Sequence, residues 1–118
     1  MEEAKKLILE SFANDIKKIL GQSLNQIILY GSYARGDFRK NSDMDIMILT
    51  YLSDQEIKKI ENEIFDAAYE YELSNNVCIS INIKNVDHFN YWLGTLPYYD
   101  NIKKEGIVLA GNDECIKN

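Results

Sequence analysis

The amino-acid sequence predicts an α/β fold of the α+β kind, one small mixed β-sheet with helices packed on it. Three observations lead there. Amphipathic helical segments and short β-branched runs follow one another in the order αβ(loop)βαβααβ. Only eleven residues, Ser32–Ser42, separate the first two strands. That is too few for a parallel crossover, so those strands are expected to be antiparallel. A long helical segment between the second and third strands permits a parallel crossover.

Each element has its own local reason. Glu2–Leu20 carries Ala4, Leu7, Ile8, Phe12, Ile16 and Ile19 at helical spacing, with Lys and Glu opposite, and Gly21 closes it. Gln26–Tyr30 is a buried strand stopped by Gly31, and Met44–Leu49 is a second strand. Ser53-Asp54-Gln55-Glu56 is a capping box for a helix that runs to about Leu73, with Ile57, Ile60, Ile64, Ala68 and Tyr71 inward. Asn75-Asn76 breaks it. Val77–Ile83 then alternates strictly, placing Val77, Ile79, Ile81 and Ile83 on one face. A short helix covers Asp87–Leu93. Pro97 opens another, which Gly106 ends before a last strand, Ile107–Ala110.

With 118 residues and no repeat, low-complexity tract or linker, residues 1–118 are expected to form a single domain. An apolar content of 46% excludes disorder as the dominant state. The longest apolar runs are strand-sized, far short of a membrane helix. The opening MEEAKK has none of the features of a signal peptide, so the expected compartment is the cytoplasm. Cys78 and Cys115 suggest neither a disulfide framework nor a metal clip.

Nineteen acids against thirteen bases give a formal charge of −6. Affinity for a nucleic-acid backbone comes from neutralising phosphates, so extended nucleic acid is not an expected ligand. A small anion remains compatible with a local basic cluster or a metal ion. Eleven of the bases are lysines, and the two arginines, Arg35 and Arg39, lie four residues apart. Codon bias and chance account for such a pair, as does a phosphate-facing loop.

The chemistry is concentrated in LYGSYARGDFRKNSDMDIMIL, residues 29–49. Gly31 has no side chain to block an approaching phosphate, and Ser32 adds a hydroxyl where the chain leaves a buried strand. Alone, such a Gly-Ser pair is most often a simple turn. Asp43 and Asp45 sit two apart at the start of the next strand, so both carboxylates project from one face. Like charges side by side raise each other's pKa unless a cation lies between them. Mg²⁺, held by one or two carboxylates plus phosphate oxygens, fits that description. A solvated strand entrance is the ordinary explanation of a bare Asp-x-Asp. The Gly-Ser pair ten residues upstream is what argues against it.

Gly31-Ser32, ten residues, then Asp43-Met44-Asp45 resembles the signature of the DNA polymerase beta-like nucleotidyltransferase superfamily. GSYARGDFRKNSDMDI is similar to the minimal, stand-alone branch, the MNT-type proteins encoded beside a HEPN-domain partner. The resemblance extends over nearly the whole chain, including the ending PYYDNIKKEGIVL. It implies a nucleotidyltransferase-like fold in which Asp43 and Asp45 hold Mg²⁺ against the triphosphate of ATP. It further implies that Gly31 and Ser32 bind the β- and γ-phosphates while Arg35 and Ser42 help to neutralise them. AMP would pass to a hydroxyl of a HEPN-type partner, as in an antitoxin acting on its toxin.

The sequence departs from the wider superfamily in two ways. A third carboxylate belongs on the later strand, whose polar face here carries Cys78, Ser80 and Asn82 and no acid. That leaves turnover open; Glu70, Glu72 and Asp87 flank the strand, and surface charge explains them as well. Larger relatives also carry a second domain, so a partner protein or a homodimer is expected to complete the site. Tyr91, Trp92, Tyr98 and Tyr99 suit either such docking or core packing, and His88 is assigned no chemistry. Three functions follow: protein AMP transferase, a lapsed module that neutralises its partner by binding, and a transferase acting on a small molecule.

Overall fold

A computed structural model describes residues 3–39 and 41–111. Helix α1 spans Glu3–Leu20, and a 3₁₀ turn, Gly21–Ser23, leads into β1, Leu24–Tyr30. A single helical turn, α2, covers Ser32–Arg35. Then follow β2 (Met44–Thr50), α3 (Asp54–Asn75), β3 (Ile79–Asn85), α4 (Val86–Trp92), α5 (Pro97–Glu105) and β4 (Ile107–Gly111). The four strands form one sheet in the order β3-β2-β1-β4. β1 runs antiparallel to both β2 and β4, while β2 and β3 are parallel; the short β1–β2 connection requires the first pairing and the long helix α3 permits the last.

Pleating sorts the side chains between two cores. Ile27, Leu29, Met44, Ile46 and Ile48 face α1 and α3, where they meet Phe12, Ile16, Ile64 and Ala68. Ile28, Met47 and Leu49 face α4 and α5, packing on Val86, Phe89, Tyr99 and Ile102. Asp45, between Met44 and Ile46, therefore points to the α5 side. The edge strands are the thinner part of the sheet, and the residues of β3 are only half-buried.

The capping box forms as the sequence indicates. Ser53 Oγ accepts from the Glu56 N–H at 3.2 Å, and Glu56 Oε1 accepts from the Ser53 N–H at 2.8 Å. Those bonds hold the Glu56 carboxyl below its ordinary range. Asn76, at φ 53°, closes α3 in the left-handed conformation. α1 and α3 are also tied by Tyr71, whose hydroxyl donates to Asp15 Oδ2 at 2.6 Å. Gly106 is fixed by crowding, because a Cβ there would overlap Ile28 Cγ2 and the Ile102 carbonyl.

Most element ends shift by one or two residues from expectation, and two differences bear on the packing. The buried stripe of α1 is Leu9, Phe12, Ala13, Ile16 and Leu20, while Ala4 and Leu7 are exposed. At about 100° per residue Ala4 and Leu7 fall on the side of α1 away from the stripe of Leu9, Phe12 and Ile16, so they face solvent. The third strand begins at Ile79 rather than Val77, where Met44 N–H donates to the Cys78 carbonyl at 2.8 Å as β2 and β3 meet. Cys78 is an exposed free thiol; Cys115 lies outside the described residues. Among the described residues no helix is long and apolar enough to cross a membrane.

Candidate active site

The site begins where β1 must turn. Gly31 adopts φ 75°, ψ −154°, a conformation open essentially to glycine, and starts α2. Closeness matters here as much as conformation. A Cβ at Gly31 would overlap Asp45 Oδ2 and lie 3.2 Å from Asp45 Cγ. The register that pairs Tyr30 with Asp45 brings the turn and the carboxylate together across the β1–β2 ladder. α2 is closed by Gly36 at φ 85°, whose N–H donates to the Ser32 carbonyl at 2.9 Å. Tyr33 anchors the turn from below. It is buried, stacks on Phe38 at 4.4 Å, and accepts from Lys5 Nζ at 3.2 Å. With Tyr33 inward, Ser32 and Arg35 are left to face the pocket.

That pocket has a volume of about 650 Å³ and is lined by Tyr30, Gly31, Ser32, Arg35, Asp45, Tyr98, Asn101, Ile102 and Glu105. β1 and α2 form one wall and α5 the other. Arg35 spans the gap, 3.2 Å from Asp37 through Nε and 3.5 Å from Glu105 through Nη1. At the base, the Tyr30 and Tyr98 hydroxyls lie 2.6 Å apart, and Asn82 Nδ2 donates to both, at 2.9 and 3.0 Å. Partial burial pushes the Asp45 carboxyl above its usual range. The nearby charge of Asp43 adds to this, and Arg35 opposes it.

The residues singled out in the sequence therefore fall into three groups. Gly31, Ser32, Arg35 and Asp45 share the pocket. Asp43 is exposed just before β2 and reaches Asp45 through its charge. Ser42 stands apart. Its hydroxyl accepts from the Arg39 N–H at 2.7 Å, closing the loop before β2, and it lines a separate recess with Lys5, Tyr33 and Cys78. On β3, Ser80 is the residue in register with Asp45, and Asn82 is committed to the two tyrosines. Glu72 is also engaged, accepting from the Ile79 N–H at 2.8 Å. Among the described residues no group of three His, Cys, Asp or Glu converges on a potential metal position.

The aromatic cluster of the sequence divides. Tyr99 belongs to the core, Tyr98 lines the pocket, and Tyr91 is exposed. The functional part that the sequence reading missed is α5 as a wall. Its signal was the spacing of Tyr98, Asn101, Ile102 and Glu105, one face of a helix begun by Pro97.

A glycine turn set directly against a strand carboxylate, with a serine and an arginine in the same cleft, is an arrangement suited to nucleotidyl transfer. The nucleotidyltransferase domain model matches residues 9–109. The chain belongs to that family, as a minimal nucleotidyltransferase. Two relatives from Methanocaldococcus jannaschii agree, both provisionally named protein adenylyltransferases. MJ0141 is 38% identical over 73 residues, 62% of this chain and 72% of the relative. MJ0604 is 30% identical over 101 residues, 86% of this chain and 93% of the relative. A crystal structure of a toxin–antitoxin complex with AMP-PNP shares the fold, with a TM-score of 0.54 at 18% identity over 92% of this chain and 77% of that one.

Proposed function

We propose that this nucleotidyltransferase transfers AMP from ATP to a hydroxyl of a HEPN-type partner protein and serves as that partner's antitoxin. The observation that carries the reading is the close approach of Gly31 to the Asp45 carboxylate, inside a pocket that also holds Ser32 and Arg35. The names of the two archaeal relatives and the toxin–antitoxin complex of the same fold support it.

In this reading the Gly31 backbone admits the triphosphate, and the Ser32 hydroxyl and N–H hold its terminal phosphates. Arg35 exchanges Glu105 for phosphate oxygens. The carboxylates of Asp43 and Asp45 are hard oxygen donors, a set that fits Mg²⁺. Bound there with the nucleotide, the ion would supply charge neutralisation and polarisation of the α-phosphate. The acceptor oxygen joins the α-phosphorus as the bond to pyrophosphate breaks, and the hydroxyl proton passes to solvent. Positioning and charge neutralisation supply most of such catalysis, so few reactive side chains are needed.

Intact-mass spectrometry of the co-purified partner, before and after Mg-ATP, tests the proposal. The partner should gain whole AMP units with the native protein and none with the Asp43→Asn, Asp45→Asn variant. A partner that stays bound and never changes mass supports a second reading, neutralisation by binding alone. What favours that reading is Ser80, an uncharged residue, in register with Asp45.

A further inference from the structure

We infer that α3 carries a docking face for a basic amphipathic helix of another protein, on the side of the sheet away from the nucleotide pocket. This goes beyond the transfer reaction and does not depend on it. The buried side of α3 is Ile57, Ile64 and Ala68, packed in the core shared with α1. A different flank carries Phe65, Tyr69 and Leu73, which are 40%, 57% and 64% exposed. Spaced four apart, they stack in one row over two turns. Single exposed apolar residues are ordinary on a protein surface. Three large ones in register on one helix form the pattern by which helices dock on each other.

Charge identifies the occupant. Residues 61–75 contain Glu61, Glu63, Asp66, Glu70 and Glu72 and no Lys, Arg or His. Glu61 heads the apolar row, and Asp66 and Glu70 lie one turn from Tyr69 and Leu73. Glu72 has a structural use in accepting from Ile79. Among the described residues, Glu61, Asp66 and Glu70 have no ion-pair partner.

An anionic membrane or a nucleic-acid backbone would be repelled by this rim. A second copy of the chain would set the same acids against themselves. A helix with an apolar stripe edged by Lys and Arg satisfies both the stripe and the rim. The pocket residues Tyr30, Asp45 and Tyr98 lie on the other face of the sheet, so an occupant of α3 leaves the pocket open.

The test uses the isotope-labelled full chain and a Leu/Lys amphipathic peptide of about 20 residues, long enough to hold a helix. The peptide should shift amide resonances within residues 61–75, while the same pattern with Glu in place of Lys should not. Affinity should fall about tenfold or more in the Phe65→Ser, Tyr69→Ser, Leu73→Ser variant. A similar loss is expected in Glu61→Gln, Asp66→Asn, Glu70→Gln, which leaves the apolar residues in place and guards against a folding defect in the first. Unchanged affinity in both variants, shifts located elsewhere or no binding would overturn the proposal. So would self-association of the native chain, in sedimentation, that the serine variant abolishes, since the occupant would then be a second copy.

Discussion

The Tyr30 and Tyr98 hydroxyls share one hydrogen bond at 2.6 Å, and the Asn82 amide donates to each of them. Three elements, β1, β3 and α5, are thus joined at the base of the pocket by a closed polar triad. Because the two tyrosines share the bond, their substitutions should not add. Tyr30→Phe and Tyr98→Phe are each expected to cost about 1 kcal/mol. The double variant should cost less than their sum by about 0.5 kcal/mol or more. Urea denaturation of the four proteins measures this, and strict additivity would show that the hydroxyls act separately.

Gly31 and Gly36 both have positive φ but different surroundings. Around Gly36 there is open space, whereas a Cβ at Gly31 meets the Asp45 carboxylate. Gly36→Ala should therefore bring backbone strain alone, about 1 kcal/mol, and leave nucleotide binding intact. Gly31→Ala should carry larger strain, since φ 75°, ψ −154° is open essentially to glycine, and also displace Asp45, abolishing binding of a non-hydrolysable ATP analogue in calorimetry. Equal affinities in the two variants would remove Gly31 from the phosphate site.

Arg35 faces the pocket with an anion already beside it, Glu105 at 3.5 Å. Both side chains are about half exposed, so the pair contributes little to stability. Its effect on ligand binding should be larger, because Glu105 competes with phosphate for the same guanidinium. Glu105→Gln is expected to tighten triphosphate binding roughly threefold at low salt, less at high salt. An unchanged dissociation constant would mean that Arg35 does not bind phosphate.

Burial holds the Tyr71 hydroxyl above its ordinary pKa, and its bond to Asp15 adds to this. A raised folded-state pKa means stability fully present below pH 10 and lost as pH rises through the folded value. Tyr71→Phe should cost about 1 kcal/mol at neutral pH. It should also flatten the fall of stability above pH 10, followed by urea midpoints at pH 7 and above 10. Parallel pH curves for the two proteins would assign that fall to other groups.

Local rules encode much of this fold in the sequence. Ser53 and Glu56 cap α3 because the box is encoded within four residues. The eleven-residue gap dictates the antiparallel pairing of β1 and β2. What escaped turns on which partner each side chain meets, near or far. Leu7 is exposed because it lies on the side of α1 opposite Leu9, Phe12 and Ile16, an angle that a row of apolar residues in the sequence does not by itself resolve. Ser42 sits in the motif by sequence, while its hydroxyl closes its own loop on Arg39. The spacing of Tyr98, Asn101, Ile102 and Glu105 marks one face of α5, but that this face closes the pocket is set by packing of Ile102 and Tyr99 on β1 and β2.

The triad at the base of the pocket joins residues 68 positions apart, and the wall ends only at Glu105. Order of synthesis thus has a bearing on the site. A ribosome-bound chain that has emerged through β2 possesses the glycine turn and both aspartates, but not the helix opposite them. β4, which inserts beside β1 after α5, comes later still. The carboxylates are therefore the early part of the site and the cleft is its last. Nucleotide capture becomes a property of the nearly finished domain, and stalled or truncated chains with an intact motif should remain unable to hold the ligand.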